Sequence, residues 1–436
     1  MRYYITTLGC KVNQYESQFI AERLDDAGYL KTKDNEPADV CIINTCAVTA
    51  EAERKARQFI RRVISSNPDS YVIVTGCYAQ LKPEEIIKIH GVSLVIGNSL
   101  KSLCAEIAVN YLKTGEKRRG IIVKKPSDFE FEKMSVAGSE RTRAYIKIED
   151  GCNSKCAYCA IKNARGPIRS KPLSDIVSEA ENLVRSGYKE IVLTGIEISG
   201  WGKDTAEGDL ADVVVSLSKI RGLERVRLGS LDPAVINPSF ADRLSLSDNL
   251  CHHFHLSLQS GCDKTLFAMK RRYSTSTVTR NVCHLRELFD DATFTADTIV
   301  GFPGESEKDF EESAAYIEGL GLLYNHIFPF SARPDTEAYY MDGQVDDNTK
   351  SKRVHAMERI RDVSSERIKR QYIGKETSVI FEEGKNGYSI GHTPNYIEVF
   401  CKSDKDLRGK TVNVTISEIK DGKAFGVITD ESLTED

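Results

Sequence analysis

The chain has 436 residues, 40% of them hydrophobic and 28% charged, with a formal net charge of −4. That length implies roughly two to four domains of about 100–200 residues each, and the near-neutral balance excludes a nucleic-acid binder working through an overall basic field. No apolar run approaches the ~20 residues of a membrane span. The start MRYYITTLGCK lacks the basic and apolar blocks of an export signal, so the expected compartment is the cytoplasm and no membrane partner is expected. There, twelve cysteines are expected to ligate metal or pack rather than to form a disulfide framework.

Residues 1–98 alternate β-rich runs (2–7, 40–44, 71–75, 93–97) with amphipathic stretches around 14–27, 49–65 and 83–90. This pattern predicts a small parallel α/β sheet. Residues 111–140 read as a charged linker or surface ribbon, which bounds a first domain at 1–138. Within 139–371, strand candidates at 144–148, 190–195, 225–230, 252–258, 294–300 and 324–330 are separated by helical stretches such as 173–186, 276–289 and 306–319. Six successive βα units suggest a partial (β/α)6 barrel rather than a complete eight-stranded one, and a charged helix from about 347 to 371 follows it. Residues 372–436 hold five short β-rich runs spaced by Gly, Asn, Asp and Lys, predicting a small all-β barrel of the oligonucleotide-binding type. The expected fold class is therefore α/β multidomain.

Cys152, Cys156 and Cys159 form a C-x3-C-x2-C run just after the predicted strand AYIKIED. Three thiolates at this spacing can hold three irons of a four-iron cluster and leave the fourth open to a chelating small molecule. A closed zinc site needs four ligands, and no fourth Cys or His lies near this loop. An electron-carrying ferredoxin run would supply further cysteines. Cys10, Cys46 and Cys77 are scattered, yet each stands just past the C-terminal end of a predicted parallel strand. They are spaced by βαβ steps of roughly 30 residues or more. Loops in that position converge on one crevice, so these three are expected to hold a second cluster; buried packing is the alternative. Cys41, Cys104, Cys251, Cys262, Cys283 and Cys401 show no such coordination and are assigned to packing. His252, His253 and His255 read as barrel strand rather than as a metal site.

Arg54, Arg57 and Arg61 fall on one face of the helix after Cys46. They read as phosphate contacts or, alternatively, as a solvated face. Arg165 and Arg169 in RGPIRSK are a second set of candidate RNA contacts, near the other cluster loop. Phe381, Tyr396 and Phe400 are candidates for base stacking, with core packing as the alternative.

Together with TLGCKVNQYES, NTCAVT, TGCYAQ, LTGIEISGWG, HLSLQSG, MKRRY, DTIVGFPGE and FPFSARP, these cysteines resemble the radical S-adenosylmethionine superfamily. Within it they resemble the methylthiotransferases, over nearly the whole chain. GCKVNQYES is most similar to the branch that modifies N6-threonylcarbamoyladenosine beside the tRNA anticodon, a distinction carried by Lys11, Val12 and Asn13. The isopentenyladenosine branch tends to GCQMN-like text and the ribosomal-protein branch to GCPKN-like text.

The resemblance implies an N-terminal three-cysteine domain, a radical barrel and a C-terminal TRAM-like barrel. It implies two 4Fe-4S clusters and S-adenosylmethionine as cofactors, with tRNA and a reducing electron donor of the flavodoxin or ferredoxin type as partners. In the family's scheme, S-adenosylmethionine bound at Cys152, Cys156 and Cys159 is cleaved to a 5′-deoxyadenosyl radical that takes a hydrogen from adenine C2. The cluster on Cys10, Cys46 and Cys77 presents the sulfur. Adenine C2–H is too inert for side-chain acid–base attack, so a cofactor must carry that step. By similarity Tyr158 packs near the cofactor adenine, and Glu197, Gln259 and Arg271 line the cofactor or substrate site. The chain departs from the family pattern at Lys162, Asn163, Asp232 and Asp335, which bears on the pocket rather than on the reaction class. The competing readings are a methylthiotransferase acting on isopentenyladenosine tRNA or on a ribosomal-protein aspartate, and a non-enzymatic Fe–S RNA-binding protein.

Overall fold

The computed structural model describes residues 1–34, 36–47, 49–138 and 141–429. In its first part, β1 (Arg2–Thr7), β2 (Leu30–Lys31), β3 (Val40–Thr45), β4 (Tyr71–Gly76), β5 (Val92–Ile96) and β6 (Gly120–Ile122) form one parallel sheet in the order β2-β1-β3-β4-β5-β6. Every residue of β3 and β4 is buried, as expected for central parallel strands covered on both faces. The covering helices are α1 (Lys11–Asp26), α2 (Ala50–Ser66), α3 (Cys77–Leu81), α4 (Pro83–Ile87) and α5 (Lys101–Thr114). The Thr49 side chain accepts from the Ala52 amide and starts α2. Left-handed Gly115 ends α5.

The segment expected as a free ribbon from residue 111 is more structured than its charge suggests. It begins inside α5, supplies β6 at the sheet edge, and buries Phe129, Met134 and Val136. The Met134 carbonyl accepts from Tyr15 of α1 at 2.9 Å, and the Val136 amide donates to Glu179 at 2.8 Å. A few apolar side chains and backbone hydrogen bonds thus anchor a stretch whose composition reads as solvated.

The second part contains β7 (Ala144–Lys147), β8 (Glu149–Asp150), α6 (Ile161–Arg165), β9 (Arg169–Ser170), α7 (Leu173–Arg185), β10 (Glu190–Thr194), α8 (Leu210–Ser218), β11 (Arg225–Leu228), β12 (Ser230–Leu231) and α9 (Pro238–Leu244). It continues with β13 (His253–Gln259), α10 (Asp263–Ala268), α11 (Thr275–Leu288), β14 (Thr293–Val300), α12 (Glu307–Leu320), β15 (Tyr324–Pro329) and α13 (Asp347–Arg370). β11, β10 and β7 form one parallel sheet, and β12, β13, β14 and β15 another. β11 and β12 are one strand interrupted at Gly229, whose amide donates to Leu193 O at 2.9 Å. The result is a six-stranded open barrel; among the described residues β7 and β15 are not paired. Reciprocal capping boxes, Asp209 with Asp212 and Ser306 with Asp309, start α8 and α12.

The third part, β16 (Glu376–Lys385), β17 (Tyr388–His392), β18 (Glu398–Lys402), β19 (Thr411–Lys420) and β20 (Lys423–Ile428), closes into a barrel in the order β16-β17-β18-β20-β19. It is bolted to the open barrel by Arg225, which donates to Ser378 O and His392 O, and by Arg227, which donates to Pro394 O.

Candidate functional site

In the first sheet β1, β3 and β4 are adjacent, so the residues after their C-terminal ends are neighbours. Cys10 caps α1, Cys46 follows β3, and Cys77 opens α3. Gly9, with φ of +106°, allows the close approach: a Cβ there would stand 2.6 Å from Cys46 Cβ and 2.9 Å from its Sγ. Asn13 staples the two loops, donating to Leu8 O at 2.9 Å and to Thr45 O at 3.1 Å. Cys77 Sγ accepts from Asn98 Nδ2 at 3.3 Å and from Arg165 Nε at 3.4 Å. A guanidinium and an amide thus converge on one buried sulfur, two donors that a metal-ligating sulfur can accept from. This donor set and the glycine cradle fit an iron–sulfur group on the three thiols.

The Cys152–Cys159 loop leaves the C-terminal end of β8 and is backed by α6. The Ser154 amide donates to Cys152 Sγ at 3.3 Å, and Arg271 Nη1 donates to Cys156 Sγ at 3.2 Å. Arg271 is itself held by Asp232 at 3.2 Å and by the Ser257 carbonyl. Tyr158, inside the loop, packs edge-on to Phe302 with ring centroids 6.5 Å apart. Gln259 ends β13 beyond a register shift and adopts φ of +64°, a strained backbone for a non-glycine residue at a strand end. Glu197 follows β10; burial, and then Asp232, push its carboxyl up to about 7. Its Oε1 is buried with no hydrogen-bond partner, an acceptor suited to a cationic ammonium or sulfonium ligand. Beside it, burial raises Glu149 well above the usual carboxylate range. The three thiols, their two donors and the orphaned carboxylate fit a cluster with a chelated cationic cofactor. Tyr158, Glu197 and Arg271 gather around this loop, and Gln259 stands at the end of a neighbouring strand.

Arg165 and Arg169 correct the RNA-contact expectation. Arg165 is 0% exposed and Arg169 7% exposed, so neither reaches a phosphate. A buried guanidinium has to be paired. Arg165 bonds Glu16, Asp150 (3.3 Å) and Asn13 Oδ1 (2.6 Å), besides Cys77. Lys147 reaches Glu16 at 2.9 Å and Asp150 at 2.6 Å; Lys101 reaches Glu16 at 3.4 Å; Arg169 reaches Asp150 at 3.4 Å. Burial alone would raise Glu16, but Arg165, Lys147 and Lys101 hold it well below the usual carboxylate range. The ion network fills the space between the two cysteine sites, because Asp150 lies two residues before Cys152 while Arg165 touches Cys77. Sequence reasoning missed Glu16, Asn98, Lys101, Lys147 and Asp150. For Lys147 and Asp150 the available signal was charge in and just after the strand run AYIKIED; Glu16, Asn98 and Lys101 carried none.

The family model described as "Uncharacterized protein family UPF0004" matches residues 2–97, and the Radical SAM superfamily model matches residues 146–317. The chain is 36% identical to the threonylcarbamoyladenosine tRNA methylthiotransferase MtaB of Bacillus subtilis (strain 168), over 98% of this chain and 96% of that protein. To the protein of the same name from Thermotoga maritima it is 40% identical, over 87% and 86%. It is 30% identical to the tRNA-2-methylthio-N(6)-dimethylallyladenosine synthase of Aquifex aeolicus, over 95% and 96%. The chain belongs to the radical S-adenosylmethionine methylthiotransferase family. Among solved structures, the radical S-adenosylmethionine methyltransferase TsrM from Kitasatospora setae superposes with a TM-score of 0.57 at 15% identity, over 78% of this chain and 77% of that one; this likeness concerns the fold.

On this methylthiotransferase the outer arginines of α2 remain available to solvent. Arg54 pairs with Glu51 at 2.5 Å, Arg57 donates to Tyr78 OH at 2.9 Å, and Arg61 is exposed without an ion pair among the described residues. Of the stacking candidates, Phe381 is fully buried in the small barrel's core. Tyr396 stacks on His253 at 4.4 Å and serves the joint between the barrels. Phe400 stays partly exposed, with Phe425 5.7 Å and Lys423 5.1 Å away. No helix among the described residues is long and apolar enough to cross a membrane.

Proposed function

We propose that this protein adds a methylthio group to C2 of N6-threonylcarbamoyladenosine in tRNA, beside the anticodon, using S-adenosylmethionine and two 4Fe-4S clusters. The observation that carries the reading is the pairing of two three-thiol sites across one buried ion network, in a chain whose near-full-length relatives carry that activity in their names. Cys152, Cys156 and Cys159 would hold one cluster, and Cys10, Cys46 and Cys77 the other. When bound, these groups supply one-electron cleavage of S-adenosylmethionine and the sulfur for transfer. Around the first, Arg271 orients Cys156 and is itself fixed by Asp232. Glu197 offers its orphaned oxygen to the cofactor's ammonium, and Tyr158 packs beside the adenine. Gln259 completes that wall. Around the second, Asn98 and Arg165 donate to Cys77 Sγ. Arg54, Arg57 and Arg61 on α2 steer the tRNA backbone. The electron comes from a flavodoxin- or ferredoxin-type donor, and the enzyme works in the cytoplasm, where its substrate is.

The test is anaerobic reconstitution, then incubation with reductant, S-adenosylmethionine and tRNA bearing threonylcarbamoyladenosine, followed by nucleoside mass spectrometry. The 2-methylthio nucleoside is the expected product. Unchanged threonylcarbamoyladenosine alongside methylthiolated isopentenyladenosine tRNA would overturn the substrate assignment.

A further inference from the structure

Strand alternation fixes which side chains face the inside of the open barrel. Phe254, Leu256 and Leu258 of β13 and Phe294 and Ala296 of β14 are buried in the main core, so the residues between them point to the other side. There His255 and Gln259 of β13 and Asp297 and Ile299 of β14 are only partly buried. The register sets Asp297 against His326 and Ile299 against Phe328, with Thr295 against Tyr324. These three residues of β15 therefore share the inner face. Between them Asn325 is buried and Ile327 packs on the core.

Tyr324, His326 and Phe328 make a row of rings open to solvent. Tyr324 is 41% and Phe328 44% exposed, and His326 is exposed between them. The row is held in place at one end. Arg361 of α13 lies 5.2 Å from the Tyr324 ring centroid, Tyr324 stands edge-on to His326 at 4.8 Å, and His326 stands edge-on to His255 at 5.8 Å. His255 is itself fixed by Asp297 at 3.2 Å and by Thr295 Oγ1 at 2.8 Å. Among the described residues β15 is an edge strand, not paired with β7, so the row borders the gap in the barrel. Single exposed rings are ordinary, but three in line on an inner wall leave a face that lacks a partner.

The row also leads to both cysteine sites. Just past β15, Ser331 Oγ accepts from the Ala50 amide at 3.2 Å, and Arg333 donates to the carbonyl of Ala47, the residue after Cys46. On the other side Ile299, the register partner of Phe328, packs in one cluster with Phe330 and with Ala157 and Tyr158 of the Cys152–Cys159 loop. Chemistry at C2 of a base requires the base to leave its stack, and a flipped purine needs flat apolar cover on its face.

We propose that this row on β15 is the stacking platform for the flipped adenine of the tRNA, with Phe328 and His326 against the purine and Tyr324 backing His326. This rests on the function proposed above. Stacking acts on the ring and is blind to what N6 carries, so the platform captures the base and holds it between the two cysteine sites rather than choosing among N6 substituents.

The test is equilibrium binding of the reconstituted protein to two anticodon stem-loop RNAs, one bearing threonylcarbamoyladenosine and one an abasic site at the same position. Loss of fold or of a cluster weakens both RNAs in step, so the ratio of their dissociation constants isolates the base. Wild type is expected to prefer the intact base by about ten-fold or more. Phe328→Ala should lose most of that preference, Phe328→Tyr should keep it, and His326→Ala should lose a smaller part. A wild-type ratio near one, or a Phe328→Ala protein that keeps the wild-type ratio, overturns the inference while leaving the proposed function standing. Failure of the wild-type enzyme to form the 2-methylthio nucleoside on the intact stem-loop overturns the proposed function, and the inference with it.

Discussion

The two cysteine sites use the same ligand count on opposite plans. Cys152, Cys156 and Cys159 sit within one short loop, and the side chains that contact them, such as Arg271, come from the far side of the same barrel. Cys10, Cys46 and Cys77 come from three separate strand ends and owe their meeting to the sheet order β1-β3-β4. The first site is set by local chain geometry, so its alignment survives modest repacking. The second depends on tertiary structure, on Gly9, Asn13, Asn98 and the buried network through Arg165. Substitutions of Gly9 or Asn98, which touch the second site directly, should therefore fall on that site and spare the first.

The largest expected effect separates the sites by chemistry. Cys156→Ala should abolish reductive cleavage of S-adenosylmethionine, whereas Cys77→Ala should still yield 5′-deoxyadenosine with no methylthio product; chromatographic quantitation of both reads the difference. Equal loss of cleavage in the two variants would break the comparison. Next comes Arg165→Met, which strands Glu16 and Asp150 as buried charges and should cost about 3–5 kcal/mol in denaturant unfolding, with Arg165→Lys costing less. Glu16 and Asp150 lie below the usual carboxylate range, against unfolded values of about 4.3 and 3.9. Their contribution is therefore complete above those unfolded values and is lost as the pH falls further. Wild type should lose stability steeply on acidification, and Arg165→Met less so.

A smaller effect belongs to Glu197. With its carboxyl at about 7, affinity for cationic S-adenosylmethionine should rise as pH increases through that value. Glu197→Gln should flatten the profile in equilibrium binding. The smallest concerns α2: Arg61→Ala should weaken tRNA binding a few-fold and reduce the log–log salt slope by about 1. Arg54→Ala, already paired with Glu51, should do less.

Much of this was legible in the chain. The C-x3-C-x2-C loop needs only spacing, and Cys10, Cys46 and Cys77 were found because strand ends in a parallel sheet share an edge. The six barrel strands and the five of the small barrel followed from periodicity. What was hidden is pairing across distance. Arg165 stands in the basic string RGPIRSK, whose exposed reading is natural until Glu16, 149 residues away in the chain, is seen beside it. Local composition cannot show that an arginine is neutralised by a carboxylate on α1, far away in the chain. His255 likewise sits in a histidine-rich strand, but its partners Asp297 and His326 come from the next two strands rather than from His252 or His253. The anchoring of residues 126–138 escaped notice for the same reason, since the contacts of Met134 and Val136 are with α1 and α7.

The most direct test of the two-site account is the iron and acid-labile sulfide content of the anaerobically reconstituted protein. It should be measured on wild type and on variants with all three cysteines of one set changed to alanine. The account predicts about eight irons in wild type and about four in either variant, each retaining a four-iron spectroscopic signature. About four irons in wild type, unchanged when Cys10, Cys46 and Cys77 are removed together, would contradict it.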